Sequence, residues 1–369
     1  MELSKLPFYY KSHDKPDNGG LPHVLPFELF YDEDLGMFRQ KASNNLRDVL
    51  EIVYQEGSLV DGSVSSESGN HYIQKLLKYI LDTEQINRSS KILEIGFGTG
   101  DFLKELSEVG YHFLYGIEPG NHKLVSGLED VNLYCDFYPS ALFNDKVDVI
   151  FHSLVLEHIE DPIAFLESQS RQLNEDGRII FFVPNEEPFL KKGDCSSFIH
   201  EHFNFFTKDA IVNLVKKLTL NLEDISVIDG LLAVTLCKRE KSIYHSNENY
   251  FLLDEKEYFV KLENTLNRIQ KFLNDMGSPE QTALYVPGRA LNSMCMLNVS
   301  NVRLVDDNSE ITGKFLPFFQ NPVESFNSIL ESPPKAILIF SRTFGHLIKQ
   351  KCFSQEKLKD CKVLVIDDL

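Results

Sequence analysis

From about residue 87 onward, short apolar runs bounded by Gly, Asp or Pro alternate with stretches whose apolar residues recur every three or four positions. The runs are KILEI (91–95), FLYGIE (113–118), VNLYC (131–135), KVDVIFHSL (146–154) and GRIIFFVP (177–184), and DFLKELSEVG and DPIAFLESQSRQL lie among them. A helix between successive strands returns the chain to the same end of the sheet, so the strands pair in parallel. The pattern therefore predicts an α/β fold, a parallel sheet wrapped by helices. FTKDAIVNLVKKL reads as a further helix, and LEDISVID and LLAVTLCK as two strands joined at Asp229-Gly230, a pair suited to a hairpin turn. A second alternation, TALYVPG (282–288), VRLVDDN (302–308), AILIFS (336–341) and KVLVIDD (362–368), predicts a smaller α/β unit.

A chain of 369 residues exceeds one ordinary domain. The patterns divide it into an irregular N-terminal lobe (1–80) whose helix leads into the first strand, a sheet domain (81–240), a helical connector (241–275) and a second sheet domain (276–369). Lys plus Arg number 37 against 55 Asp plus Glu, a net charge of −18. A phosphate backbone would meet repulsion, which argues against nucleic acid as partner. The six cysteines include no C-x-x-C pair, against both a zinc module and a disulfide framework. The N-terminus is charged where a signal peptide needs an apolar run, and no apolar stretch reaches spanning length, so the expectation is a cytoplasmic protein with no membrane partner.

LEIGFGTG follows a strand and opens a helix, a setting in which a glycine-rich turn brings backbone N–H groups and a helix N-terminus against a ligand. The dinucleotide fingerprint G-x-G-x-x-G would need glycine at 101, where Asp101 stands. The G-x-G-x-G pattern behind Glu94 resembles the corresponding loop of class I S-adenosylmethionine (SAM) methyltransferases. That resemblance implies SAM as cofactor, a nicotinamide dinucleotide being the other ligand such a frame takes, and a seven-stranded, mostly parallel Rossmann-like core. It implies a turn made by Gly96, Phe97, Gly98 and Gly100, with Gly96 and Gly98 admitting the methionine part and Glu94 orienting the loop or meeting the ammonium through water. Glu118 ends the second strand, where an acid accepts both ribose hydroxyls. Asp136 and Phe137 after the third strand suit an adenine clamp, the carboxylate taking the exocyclic amine and the ring stacking. Ser153, in SLVLEHIEDP after the fourth strand, falls near the methionine end. His158 in the same segment reads as a packing and hydrogen-bonding residue.

SSFIHEHFNFFT (196–207) follows the fifth strand and precedes a helix, at the rim where open parallel sheets bind ligands. If extended, it sets His200 and His202 on one side and Glu201 on the other. The two imidazoles suit metal ligation, although no third ligand stands at a recognised spacing. They also suit general base catalysis, since imidazole is largely free to take a proton at neutral pH. Two surface or cap-forming histidines are the plain alternative.

IHEHFNFFT is similar to the Tyr-His-Glu-His-Phe-Ser-Tyr-Phe-Ser segment of C-methyltransferases acting on nucleotide-linked deoxyketosugars. The resemblance implies that His202 deprotonates the sugar carbon beside the keto group, with Glu201 and His200 as its neighbours in the catalytic group. ALYVPGRALNSMCMLN, VRLVDDNSEITGKFLPF and AILIFSRTF follow in order that family's second Rossmann-like, C-terminal domain. LPFELFYDEDLGMFRQ resembles its zinc-module entry, with Asp32 and Leu35 where the module has cysteines. Ile199 in place of tyrosine, DGLLAV in place of a His-Gly-Gly-Ser stretch, and the serine-rich run 62–72 depart from the family on the substrate side. The resemblance thus implies a nucleotide-activated sugar as substrate, an oxygen or nitrogen of another small metabolite being the alternative acceptor. A non-catalytic binding protein on the same fold is a third possibility.

Overall fold

A computed structural model of the chain describes residues 3, 5–56, 67–83, 86–120, 127–238 and 253–369, the side chains of 55, 56 and 67–72 excepted. The serine-rich run, as far as its side chains go, and the start of the expected connector lie outside the described residues. Contacts divide the chain into two units. One comprises Phe30–Glu187 and Glu201–Leu253; the other comprises Met1–Leu29, Pro188–His200 and Asp254–Leu369. The segment 1–80 is thus shared between them, as is the His-Glu-His motif.

The first unit is built on seven strands: β1 (Ile92–Ile95), β2 (Leu114–Glu118), β3 (Asn132–Cys135), β4 (Val147–Ser153), β5 (Leu173–Pro184), β6 (Asn221–Ile228) and β7 (Leu231–Cys237). Their spatial order is β6-β7-β5-β4-β1-β2-β3. The first five are parallel, and β7 runs antiparallel to both β5 and β6. Antiparallel pairing at that edge follows from the Asp229-Gly230 turn. Both residues have positive φ, 47° and 86°, so Ile228 and Leu231 face one another across a two-residue hairpin. Covered on both faces, the central strands carry no alternation: all four residues of β1 are buried, as are Ile179 to Val183 of β5. Each such large apolar side chain contributes ~1.5–3 kcal/mol when withdrawn from water.

The helices carry recognisable starts. α1 (Asn44–Glu56) and α2 (Glu67–Asp82) precede the sheet, and α3 (Asp101–Glu108) follows β1. α4 (Pro162–Gln172) begins with proline in its first turn and the Asp161 side chain accepting from the Ala164 N–H at 2.9 Å. Thr207 caps α5 (Lys208–Val215) in the same way. Two short strands, Leu29–Asp32 and Met37–Gln40, pair as a hairpin ahead of α1.

The second unit holds a five-stranded parallel sheet, β8 (Thr282–Tyr285), β9 (Arg303–Val305), β10 (Val323–Glu324), β11 (Ala336–Ile339) and β12 (Lys362–Val365), in the order β10-β9-β8-β11-β12. β10 has two residues and no sequence signature of its own. Lys5–Pro7 and Val24–Pro26 form an antiparallel pair in this unit. No described helix is long and apolar enough to cross a membrane.

Candidate functional site

The turn after β1 requires glycine for two separate reasons. Gly96, Gly98 and Gly100 all have left-handed φ, 72°, 50° and 79°, a conformation that costs an L-residue with a side chain ~1–2 kcal/mol. At Gly96 there is also no room, since a Cβ would stand 2.6 Å from Val155 Cγ2. That close approach brings the turn against the loop that follows β4. Gly100 occupies the N-cap of α3 and supplies no side-chain cap, so the first N–H groups of the helix are open to a ligand.

Two acids stand behind this turn. Glu94 lies within β1, opposite Gly116 of β2 and Phe151 of β4, and is 2% exposed. Burial, and then the negative charges of Asp101 and Glu118, push its carboxyl well above the usual carboxylate range. Its Oε2 has no hydrogen-bond partner among the described residues. Glu118, at the end of β2, accepts from the Gly98 N–H at 3.3 Å and the Gly120 N–H at 3.0 Å. A buried carboxyl oxygen without a partner among the described residues, beside a turn that leaves no room for a side chain at Gly96, fits a ligand that brings a cationic group close to backbone, as the amino-acid end of SAM does.

Asp136 follows β3. One of its oxygens accepts from the Phe137 N–H at 2.8 Å and the other from the Ser140 hydroxyl at 2.6 Å, which orients the carboxylate and leaves it lone pairs for an amine. Phe137 is 62% exposed. Ser153 is the last residue of β4, and Leu154 after it turns the chain with φ 57°. All these groups sit at the carboxyl ends of their strands, the side on which open α/β sheets bind ligands.

The histidine motif is not extended. Residues 200 and 201 form a turn, and the two imidazoles belong to different units. His200 lies against Phe8 and Phe27, at ring-centroid distances of 5.6 and 5.2 Å, with Nε2 3.3 Å from the Leu25 carbonyl. Burial lowers it to about 4, so it is a neutral packing residue at physiological pH. His202 belongs to the sheet unit, where its ring meets His158 edge-on at 4.9 Å. Glu201 is 1% exposed in the same unit. His200 therefore belongs to one unit and Glu201 and His202 to the other, and His202 has neighbours from the loop after β4.

Those neighbours are Glu157 and His158, on a short helical turn, Leu156–His158. Burial raises Glu157 to about 8, and neither of its carboxylate oxygens has a partner among the described residues. Burial lowers His158 to about 4 against a hydrogen bond to the Glu201 backbone, and its Nδ1 lies 3.3 Å from the Tyr54 hydroxyl. Both groups are mainly uncharged at neutral pH. From sequence His158 reads as a packing residue and Glu157 carries no assigned role, although both share the segment SLVLEHIEDP with Ser153.

The segment 201–206 is held from two sides. The Glu157 carbonyl accepts from the Phe203 and Asn204 N–H groups, and the Asn204 side chain donates to the Leu156 and Ile159 carbonyls. On the other side runs the Met37–Gln40 strand, with Gln40 N–H donating to Phe203 O at 2.9 Å and Phe205 N–H to Phe38 O at 3.2 Å. Arg39 links the pieces: it donates to Asn204 Oδ1 at 3.0 Å, to Asp32 Oδ2 at 3.1 Å and to the Glu160 carbonyl at 2.5 Å. Asp32, at a position compared with a zinc cysteine, also accepts from the Leu35 N–H at 3.0 Å, so side-chain bonds close this hairpin turn.

Residues 67–225 match the family model described as a methyltransferase domain. Among solved structures, the chain is similar to the ribosomal protein L11 methylase of Lactobacillus delbrueckii subsp. bulgaricus at 15% identity, with 47% of this chain and 81% of that one covered and a TM-score of 0.34. It is similar to the N-methyltransferase NodS of Bradyrhizobium japonicum WM9 at 14% identity, covering 47% and 98%, with a TM-score of 0.36. A third likeness is to DhpI in its complex with SAM and HEP, at 16% identity, covering 53% and 99%, with a TM-score of 0.42. No curated protein matches the chain.

Proposed function

We propose that this chain, a class I SAM-dependent methyltransferase, methylates a carbon beside the keto group of a nucleotide-linked ketodeoxysugar. The cofactor supplies an electrophilic methyl group on a sulfonium. The chain's residues do the rest. Glu94, Gly96, Phe97, Gly98 and Gly100 would hold the amino-acid end, Glu118 the ribose, and Asp136 and Phe137 the adenine, and Ser153 would line the methionine end. His202 would take the proton from the sugar carbon to give an enolate, and transfer of the methyl to that carbon would break its bond to sulfur and leave S-adenosylhomocysteine. Glu201 and His200 are neighbours of His202 in the motif, as the family resemblance implies.

The observation that carries this reading is the seat of His202. It is 9% exposed, it shares a unit with the glycine turn, and it packs against His158 on the β4 loop that touches Gly96 through Val155. That seat supports a base acting beside the methyl donor, where alignment would provide most of the acceleration and proton transfer would add ~10²- to 10⁴-fold. The test is a screen of nucleotide-linked 4-keto-6-deoxysugars with SAM, read by mass, in wild type and His202→Gln. The expected result is the gain of one methylene in the wild type and a loss of ~100-fold or more in rate in the variant. In deuterated water a carbon acceptor also takes up solvent deuterium before methylation. Solvent deuterium in the unreacted keto-sugar favours a carbon acceptor, since only a carbon acid exchanges that proton, and full rate in the variant removes His202 from the role of base.

A further inference from the structure

We infer that Glu157, His158 and His202 form a binding site for a divalent first-row metal ion, best matched by zinc, whose occupation blocks proton transfer by His202. The inhibitory half of this inference rests on the reading of His202 as the base. The site itself rests on geometry. One donor atom from each of the three residues lies within 4.8 Å of the other two. Tetrahedral zinc holds nitrogen and oxygen donors at ~2.0–2.2 Å, which sets them ~3.4 Å apart, so closing the site takes side-chain shifts of about 1 Å.

The second observation is Glu157. It is 1% exposed, and both of its oxygens are buried with no hydrogen-bond partner among the described residues. A buried carboxyl group in that condition is costly, and a coordinated cation is one of the few ligands that satisfy it. Two imidazoles and one carboxylate also make a donor set that zinc takes in open sites, leaving a fourth position for water or a substrate oxygen. His158 now holds the Tyr54 hydroxyl and the Glu201 backbone, so whichever nitrogen turns to the ion gives up one of these contacts. His202 is positioned from behind by its own carbonyl, which accepts from the Gln40 amide at 3.4 Å. The ion and the substrate proton compete for an imidazole lone pair on His202, and a bound ion therefore withdraws the base.

The experiment uses the full chain stripped with a chelator and titrated with Co²⁺, then Zn²⁺. One equivalent of Co²⁺ giving an intense tetrahedral d–d spectrum, displaced by Zn²⁺, is the expected result. Glu157→Gln, His158→Asn and His202→Gln should each weaken binding by about tenfold or more. SAM affinity measured by calorimetry reports whether each variant is folded. Anomalous scattering from a zinc-soaked crystal of the wild type locates the ion without any variant. A thiolate charge-transfer band, which would put the metal on cysteines such as the exposed Cys135, overturns the site, as does unaltered affinity in all three variants. With the keto-sugar found in the screen, Zn²⁺ should lower the methylation rate at least about tenfold and a chelator should restore it. Binding at the three residues with an unchanged rate would keep the site and overturn both its inhibitory role and the base assignment.

Discussion

Gly96 and Gly98 carry the same backbone conformation but different surroundings, and substitution separates the two effects. Gly98→Ala meets nothing within 4 Å and bears only the cost of its left-handed φ, ~1–2 kcal/mol. Gly96→Ala bears that cost and the Val155 clash, so it should be the less stable variant in urea titrations and should lose SAM binding by calorimetry at least about tenfold more than Gly98→Ala. This turn was legible in the sequence because the demand is local: a strand, a reversal and a helix start within ten residues leave few solutions that do not use glycine. The strand positions of Glu94 and Glu118 were legible too, because each sits in or at the end of a short apolar run. Glu157 was not. In the proposed metal site its partner is His202, forty-five positions away, and nothing in its own neighbourhood in the chain reveals that its carboxyl group lacks a partner among the described residues.

At the scale of elements, the hairpin Leu29–Asp32/Met37–Gln40 acts as a splint for the segment carrying His202. Arg39 ties it to Asn204, Asp32 and Glu160, so Arg39→Ala should loosen that segment without touching the glycine turn. The expected outcome is a loss of ~1.5–3 kcal/mol in stability and a fall in kcat of about tenfold or more, with SAM affinity changed less than about twofold. Calorimetry and steady-state kinetics on the one variant check both. The strands of both sheets were legible as apolar runs, and the edge hairpin as Asp-Gly. β10 was not, because two residues carry no period, and its pairing depends on β9 being in place. The N-terminal hairpin was visible only as a likeness to a metal module, whereas what closes its turn here is Asp32, through Leu35 and Arg39.

For the whole molecule, buried histidines weaken the fold in acid, while the raised carboxyls of Glu94 and Glu157 act in the opposite direction. His152 is fully buried, stacked on Phe181 at 5.5 Å, with neither ring nitrogen hydrogen-bonded among the described residues. Burial lowers it to about 3 from 6.5. The unfolded chain therefore binds a proton that the folded chain refuses. Its contribution is fully present above pH 6.5 and is lost progressively as the pH falls toward about 3. His158 and His200, each lowered to about 4, act in the same direction. His152→Phe keeps the ring stack and removes the titration. It should flatten the stability profile across that window, and urea unfolding at a series of pH values measures the change. An unaltered profile would mean that protonation is accommodated by rearrangement in the folded state.

Order along the chain determined the parallel sheets, the hairpin at β6 and β7, and the glycine turn, because crossover length, turn stereochemistry and helix initiation are properties of neighbouring residues. The setting of the histidines was decided only in three dimensions. His200 and His202 differ by two positions, yet one packs among Phe8 and Phe27 and the other meets His158, because a turn at 200–201 separates them between two cores. Burial, and with it the charge and chemistry of an imidazole or a carboxyl group, depends on which distant segments close over it. Local spacing does not contain that information.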